Sequence, residues 1–165
     1  MKKLILLLGM VLASGALSAA TVSFLIIEAG LPEEDGQSQS SSLWESGMMD
    51  VFFEAGHIVS NAPVMRIPDA GIFEKSGEKL PDRARTEFDE AKNGGADYFV
   101  MALLEYRGSG LEKPQTVYLR VFSVSNETLL FETSCAGNSR IDAHDEFLEV
   151  KKNAEKLVPQ LRQRG

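Results

Sequence analysis

The chain has a single cysteine, Cys135, in 165 residues, so no disulfide can form within it and stability must come from packing. Cys135 reads as a small residue finishing a strand, with an intermolecular disulfide as the alternative. Histidine is nearly as scarce, with His57 and His144 alone. There is no His-Glu-x-x-His, no Cys-x-x-Cys, no calcium-loop pattern and no Gly-x-Ser-x-Gly elbow. Positive charge is also short: 17 lysines and arginines stand against 24 acids, a formal charge of -7. Such a surface repels phosphate backbones and anionic headgroups at long range, so no nucleic-acid partner is expected. Collagen-like, disulfide-rich and wholly disordered chains are excluded by a composition of 44% hydrophobic and 25% charged residues.

What is present begins with an export leader. Met1-Lys2-Lys3 is a short basic start, Leu4 to Leu17 is apolar, and Ser18-Ala19-Ala20 supplies small residues before Thr21. This pattern predicts a signal peptide over 1–20, cut after Ala20, with an uncleaved anchor as the alternative. No cysteine lies near the cut to carry a lipid, and no second long apolar run follows. The expectation is therefore a periplasmic or secreted protein with no membrane span once the leader is gone. Without Lys2 and Lys3, 15 cations face 24 acids, a charge of -9. The remaining 21–165 is one domain's worth of chain and should bury roughly 68% of its unfolded surface.

Within 21–165, Thr21 to Ala29 is β-branched and apolar on both faces, the signature of a buried strand. A polar loop, 30–42, follows. Ser42-Leu43-Trp44-Glu45 has the spacing of a capping box, predicting a helix that begins at Ser42 and stops at Gly56. His57 to Ile67 reads as one strand, interrupted or displaced at Pro63. Pro81 suits a first helical turn, and Ala84, Phe88 and Ala91 form the apolar stripe of that helix, ended by Gly94-Gly95. Tyr98 to Tyr106 reads as a central strand, and Val117–Val124 and Thr128–Ser134 as a hairpin joined through Ser125-Asn126-Glu127. The sequon Asn126-Glu127-Thr128 falls in that turn. Asp142 caps a last helix with Phe147, Val150, Ala154, Leu157, Val158 and Leu161 on one stripe. The predicted class is α/β (α+β): a single domain with a mixed five-stranded sheet in β-α-β-α-β-β-β-α order and helices packed on it.

Certain segments carry a family resemblance. Phe53-Glu54-Ala55-Gly56-His57-Ile58-Val59 resembles the helix–glycine–strand step of a bacterial envelope domain. Ala91-Lys92-Asn93-Gly94-Gly95-Ala96-Asp97-Tyr98-Phe99-Val100 resembles its helix running into a central strand. Val117 to Val124 with Glu127 to Glu132 resembles its closing hairpin. The chain is similar in this respect to the TolB N-terminal domain, the CsgG-type curli secretion lipoproteins and the LpoB-type activators of penicillin-binding proteins, over about residues 21 to 160. The resemblance implies a non-enzymatic module that docks on other envelope proteins. Two departures from it are expected: no cysteine near the cut carries a lipid anchor, and no second domain such as a propeller is read from these residues.

The remaining polar residues offer little chemistry. His144 lies beside Asp142, Asp145 and Glu146, but one nitrogen among carboxylates at a helix start is already accounted for by the helix dipole, and no metal is expected. Ser38, Ser40, Ser41 and Ser42 lie between a strand and a helix, where α/β folds cradle anions. Glu33, Glu34 and Asp35 in the same loop would repel a phosphate, and no P-loop lysine is present. No cofactor or catalytic residue is assigned. The leading expectation is an exported, non-catalytic protein–protein interaction module of the cell envelope with unidentified envelope partners. The alternatives are a small-ligand binder or enzyme using loop 30–42, and a structural homo-oligomer. Trp44 and Phe53 are the candidate partner contacts, with a place in the core as the alternative: each has an adjacent apolar neighbour, so one of each pair could turn away from the sheet.

Overall fold

The computed structural model describes residues 19–32, 37–71, 77–108 and 112–161. Most of the expected leader, and Glu33, Glu34 and Asp35 of the polar loop, lie outside the described residues. The elements run β1 (Thr21–Ala29), α1 (Gln39–Glu54), β2 (Ile58–Asn61), β3 (Met65–Ile67), a 3-10 turn (Asp82–Ala84), α2 (Arg85–Asn93), β4 (Tyr98–Glu105), β5 (Thr116–Ser123), β6 (Thr128–Ala136), α3 (Ala143–Ala154) and the short α4 (Val158–Leu161).

These strands form one mixed sheet in the order β2-β1-β4-β5-β6, with β3 also paired to β1. β1 is parallel to β2, β3 and β4, while β4, β5 and β6 are antiparallel neighbours. The expected five-strand layout holds with one refinement. The interrupted strand is two short strands that pair successively along β1, at Thr21–Phe24 and at Ile27–Ala29. Pro63 sits between them, where no ladder donor is needed.

Both faces of the sheet are covered, which explains the unbroken apolar runs of β1 and β4. Val22, Phe24, Ile26, Val100, Ala102 and Leu104 pack with Trp44, Met48 and Phe52 of α1 and Val150 and Ala154 of α3. Leu25, Ile27, Phe99, Met101 and Leu103 pack on the other face with Ala84 and Phe88. The end of α1 is a Schellman turn. His57 N donates to Phe52 O at 3.0 Å and Gly56 N to Phe53 O at 2.9 Å, with Gly56 at φ +88°. Asp142 caps α3 as expected, its side chain accepting from Asp145 N at 2.9 Å.

The start of α1 corrects the capping-box expectation. Its N-cap is Ser38, not Ser42, and Ser42 is an exposed residue of the first turn. The reason is long-range and is given below.

Gly47 sets the approach of α1 to α3. A Cβ there would lie 2.7 Å from Val150 Cγ1 and 3.3 Å from Phe147 Cε2. Val150 is fully buried and β-branched, so it has little freedom to yield. Gly47→Val is expected to lower stability by about 2 kcal/mol through overpacking, as read in urea melts.

Candidate functional site

An acid in the middle of a buried apolar strand demands a partner, and β1 carries one. Glu28 is fully buried near the C-terminal end of β1, on the face that α1 covers. Three groups donate directly to its carboxylate and a fourth reaches it through them. Ser41 Oγ donates to Oε1 at 2.5 Å and Ser38 N donates to the same oxygen at 2.9 Å. Arg66 Nε, from β3, donates to Oε2 at 2.7 Å. Arg66 Nη1 also donates to Pro32 O at 2.6 Å, tying down the chain as it leaves β1. The fourth is indirect: Tyr106 OH lies 2.9 Å from Ser38 Oγ, which lies 3.0 Å from Ser41 Oγ.

The carboxylate fixes the direction of every proton in this line, because it can only accept. Ser41 spends its proton on Glu28, Ser38 spends its own on Ser41, and Tyr106 therefore donates to Ser38. Ser38 Oγ also accepts from Ser41 N at 3.1 Å, which is the N-cap bond of α1. The hydroxyls in the line are thus used. The cap falls on Ser38 because its amide donates to Glu28 while its hydroxyl accepts from Ser41 N, so this one residue both caps the helix and holds the carboxylate.

Burial pushes the Glu28 carboxyl up. The hydrogen bonds from Ser41, Ser38 and Arg66 together outweigh it and hold the group below its ordinary value of 4.5, so it is ionised at neutral pH. Burial, reinforced by the Glu28 charge and opposed by the Ser38 bond, pushes the Tyr106 phenol above its ordinary 10.0 and keeps it a donor. The arrangement therefore places a fixed anion at the N-terminus of α1, where the helix dipole favours one. That position is the one an external phosphate or carboxylate would seek, and the chain fills it with its own side chain.

The other polar candidates are dispersed. His57 is buried beside the Phe52 ring at 6.0 Å, with Nδ1 accepting from Ala20 N at 3.3 Å. His144 is exposed at the start of α3. Its neighbour Glu146 is buried and paired with Lys113 at 3.2 Å. Among the described residues, no group of three or more His, Cys, Asp or Glu side chains is placed to hold a metal. Cys135 is half-buried on β6, and burial pushes its thiol above the ordinary value.

The two candidate contact residues part company. Trp44 is 4% exposed and belongs to the core under α1, which corrects the expectation that it stands on the surface. Helical phase decides this: Trp44, Met48, Val51 and Phe52 fall on the stripe that faces the sheet. Phe53, one position beyond that stripe, is 68% exposed. Sequence reasoning missed Glu28, Arg66 and Tyr106. The available signal was a charged residue inside a strand apolar on both faces, and a second one of opposite sign inside Met65-Arg66-Ile67.

Among the described residues no helix is long and apolar enough to cross a membrane. No protein-family model matches the chain, and no curated protein matches it. Solved structures do. The chain is similar to the PelC dodecamer protein of Paraburkholderia phytofirmans, at 16% identity over 89% of this chain and 90% of that one, with a TM-score of 0.48. It is similar to TolB from Acinetobacter baumannii at 10% identity and a TM-score of 0.46, over 87% of this chain and 30% of that one. It is similar to the LpoB C-terminal domain from Escherichia coli at 11% identity and a TM-score of 0.42, over 81% of this chain and 93% of that one. The likeness is one of fold, and TolB and LpoB are two of the proteins whose resemblance is read from the sequence.

Proposed function

We propose that the chain is an exported, non-catalytic protein–protein interaction module of the bacterial cell envelope. The observation that carries this reading is an apolar pair left in solvent on a domain whose other large side chains are mostly packed. Phe53 is 68% exposed at the end of α1 and Ile58 is 60% exposed at the start of β2. They flank the Gly56 turn. β2 is an outer strand of the sheet, so its backbone groups on the far side have no partner strand among the described residues. Apolar side chains beside an open strand edge suit a partner that adds a strand or lays a helix across it. The Glu28 network supports the reading from the other side, because its polar groups are consumed in holding β1, β3 and α1 together.

The test is capture from envelope extract with the purified protein and with a Phe53→Asp, Ile58→Asp variant. The variant is expected to weaken the specific complex about tenfold or more, since apolar anchors carry most interface energy. Its melting curve should stay close to that of the unchanged protein, because neither side chain is in the core. Equal capture by both proteins would remove this face from the proposal. A saturable thermal shift with a metabolite panel would favour a ligand binder instead, and a mass above monomer with no other partner would favour a structural oligomer.

A further inference from the structure

We propose that Asp97 is the binding site for the chain's own processed N-terminus: once the leader is removed after Ala20, the new α-ammonium of Thr21 pairs with the Asp97 carboxylate and clamps the first residue of β1. The inference rests on the cut expected after Ala20. Hydrolysis of that peptide bond by a leader-removing endopeptidase adds one water, leaving a carboxylate on Ala20 and an ammonium on Thr21.

The geometry is already in place. Thr21 N lies 2.8 Å from Asp97 Oδ2, and Asp97 N donates to Thr21 O at 2.8 Å. The two residues thus hold each other reciprocally, one opening β1 and the other immediately before β4. Asp97 is exposed, and no lysine or arginine among the described residues forms an ion pair with it. Lys92 lines the same cavity as Asp97 but pairs with Glu127 at 2.9 Å. The carboxylate therefore stands without a side-chain cation, against the one backbone nitrogen that processing would charge. The carboxylate already makes this a charge-assisted bond; turning the amide donor into an ammonium adds an opposite charge and makes it an ion pair as well.

The leader side of the cut shows what is exchanged. Ala20 O accepts from Ile58 N at 2.9 Å, and Ala20 N donates to His57 Nδ1. Both bonds are lost with the leader. The charged or titratable groups around the new terminus are Asp97, the Lys92–Glu127 pair and His57.

The experiment uses exported protein from wild-type and Asp97→Asn genes, with the first residue read by mass spectrometry. Acetylation of the Thr21 amine by an N-hydroxysuccinimide ester at mildly alkaline pH is expected to be about threefold faster in the variant, because the carboxylate keeps the amine protonated. The same amine in wild-type protein should react about threefold faster in urea than when folded, a comparison that stands even if Asp97→Asn fails to fold. A group favoured in its protonated form stabilises the fold at low pH and loses that contribution as pH rises through its folded value. The melting gap between wild type and variant should therefore narrow from neutral to strongly alkaline pH. Equal acetylation rates, or a gap of constant size, would overturn the pairing with Thr21 confirmed as first residue. A different first residue would overturn the cut itself.

Discussion

Replacing Arg66 with alanine is expected to cost about 3 kcal/mol at neutral pH, because it strands a fully buried carboxylate. Glu28 is 0% exposed and Arg66 is its cationic partner in the described structure, at 2.7 Å. Ser41 and Ser38 N stay in place in the variant, so the loss falls at the lower end of what breaking a buried pair costs. Arg66→Lys should recover only part of it. A lysine supplies a point charge, whereas the guanidinium holds Glu28 through Nε and Pro32 O through Nη1 at the same time.

The pH dependence distinguishes this cause from lost packing. Glu28 titrates below its ordinary 4.5 in the folded protein. A depressed carboxylate contributes stability above its unfolded value, and that contribution disappears as pH falls through the folded value. Wild type should therefore lose stability on acidification below about pH 4.5, and the gap to Arg66→Ala should close over the same range, since a protonated Glu28 has no charge to strand. Urea melts at pH 7 and below pH 4 would measure it. A gap that persists unchanged in acid would mean that Arg66 acts through its aliphatic stem.

Where the sequence spoke clearly, local chemistry and tertiary packing agreed. β1 and β4 were legible because their residues are apolar on both faces, as a strand between two helical layers requires. The stop at Gly56 and the cap at Asp142 were legible because each is settled within one turn of chain. The start of α1 was not. Ser38, Ser40, Ser41 and Ser42 offer the same local capping chemistry, and the choice among them is made by Glu28, ten residues before Ser38. Trp44 was misplaced for a related reason. Leu43 and Trp44 are adjacent, as are Phe52 and Phe53, and composition alone does not say which of each pair turns inward. The packing does, burying Trp44 and Phe52 and leaving Phe53 out. Of the two exposed apolar residues, Phe53 is marked in the sequence by its apolar neighbour, whereas Ile58 reads only as part of a strand. Its exposure follows from β2 lying at the outer limit of the sheet, which is a fact of strand order rather than of sequence.

Phe88→Ala is expected to cost about 4 kcal/mol, the larger of the two effects. Among the described residues α2, with its 3-10 lead-in, is the helix that packs on the second face of the sheet, and Phe88 is its one large buried side chain. The ring is 0% exposed and meets Phe99 edge-to-face at a centroid distance of 5.3 Å. The Arg85 guanidinium stands 5.5 Å from the ring centre and helps close it off from water. Its stripe neighbours are Ala84, fully buried, and Ala91, half-buried, so neither can move in to fill the space. Truncation therefore removes the transfer energy of the ring and leaves a cavity bounded by the rigid sheet, the combination that makes large-to-small changes most costly. Phe88→Leu keeps much of the volume and should lose less than half as much. Urea melts of the three proteins give the comparison. A loss under about 1 kcal/mol for Phe88→Ala would mean that α2 does not seal this face, and that Leu25, Ile27, Met101 and Leu103 are kept dry by some other part of the chain.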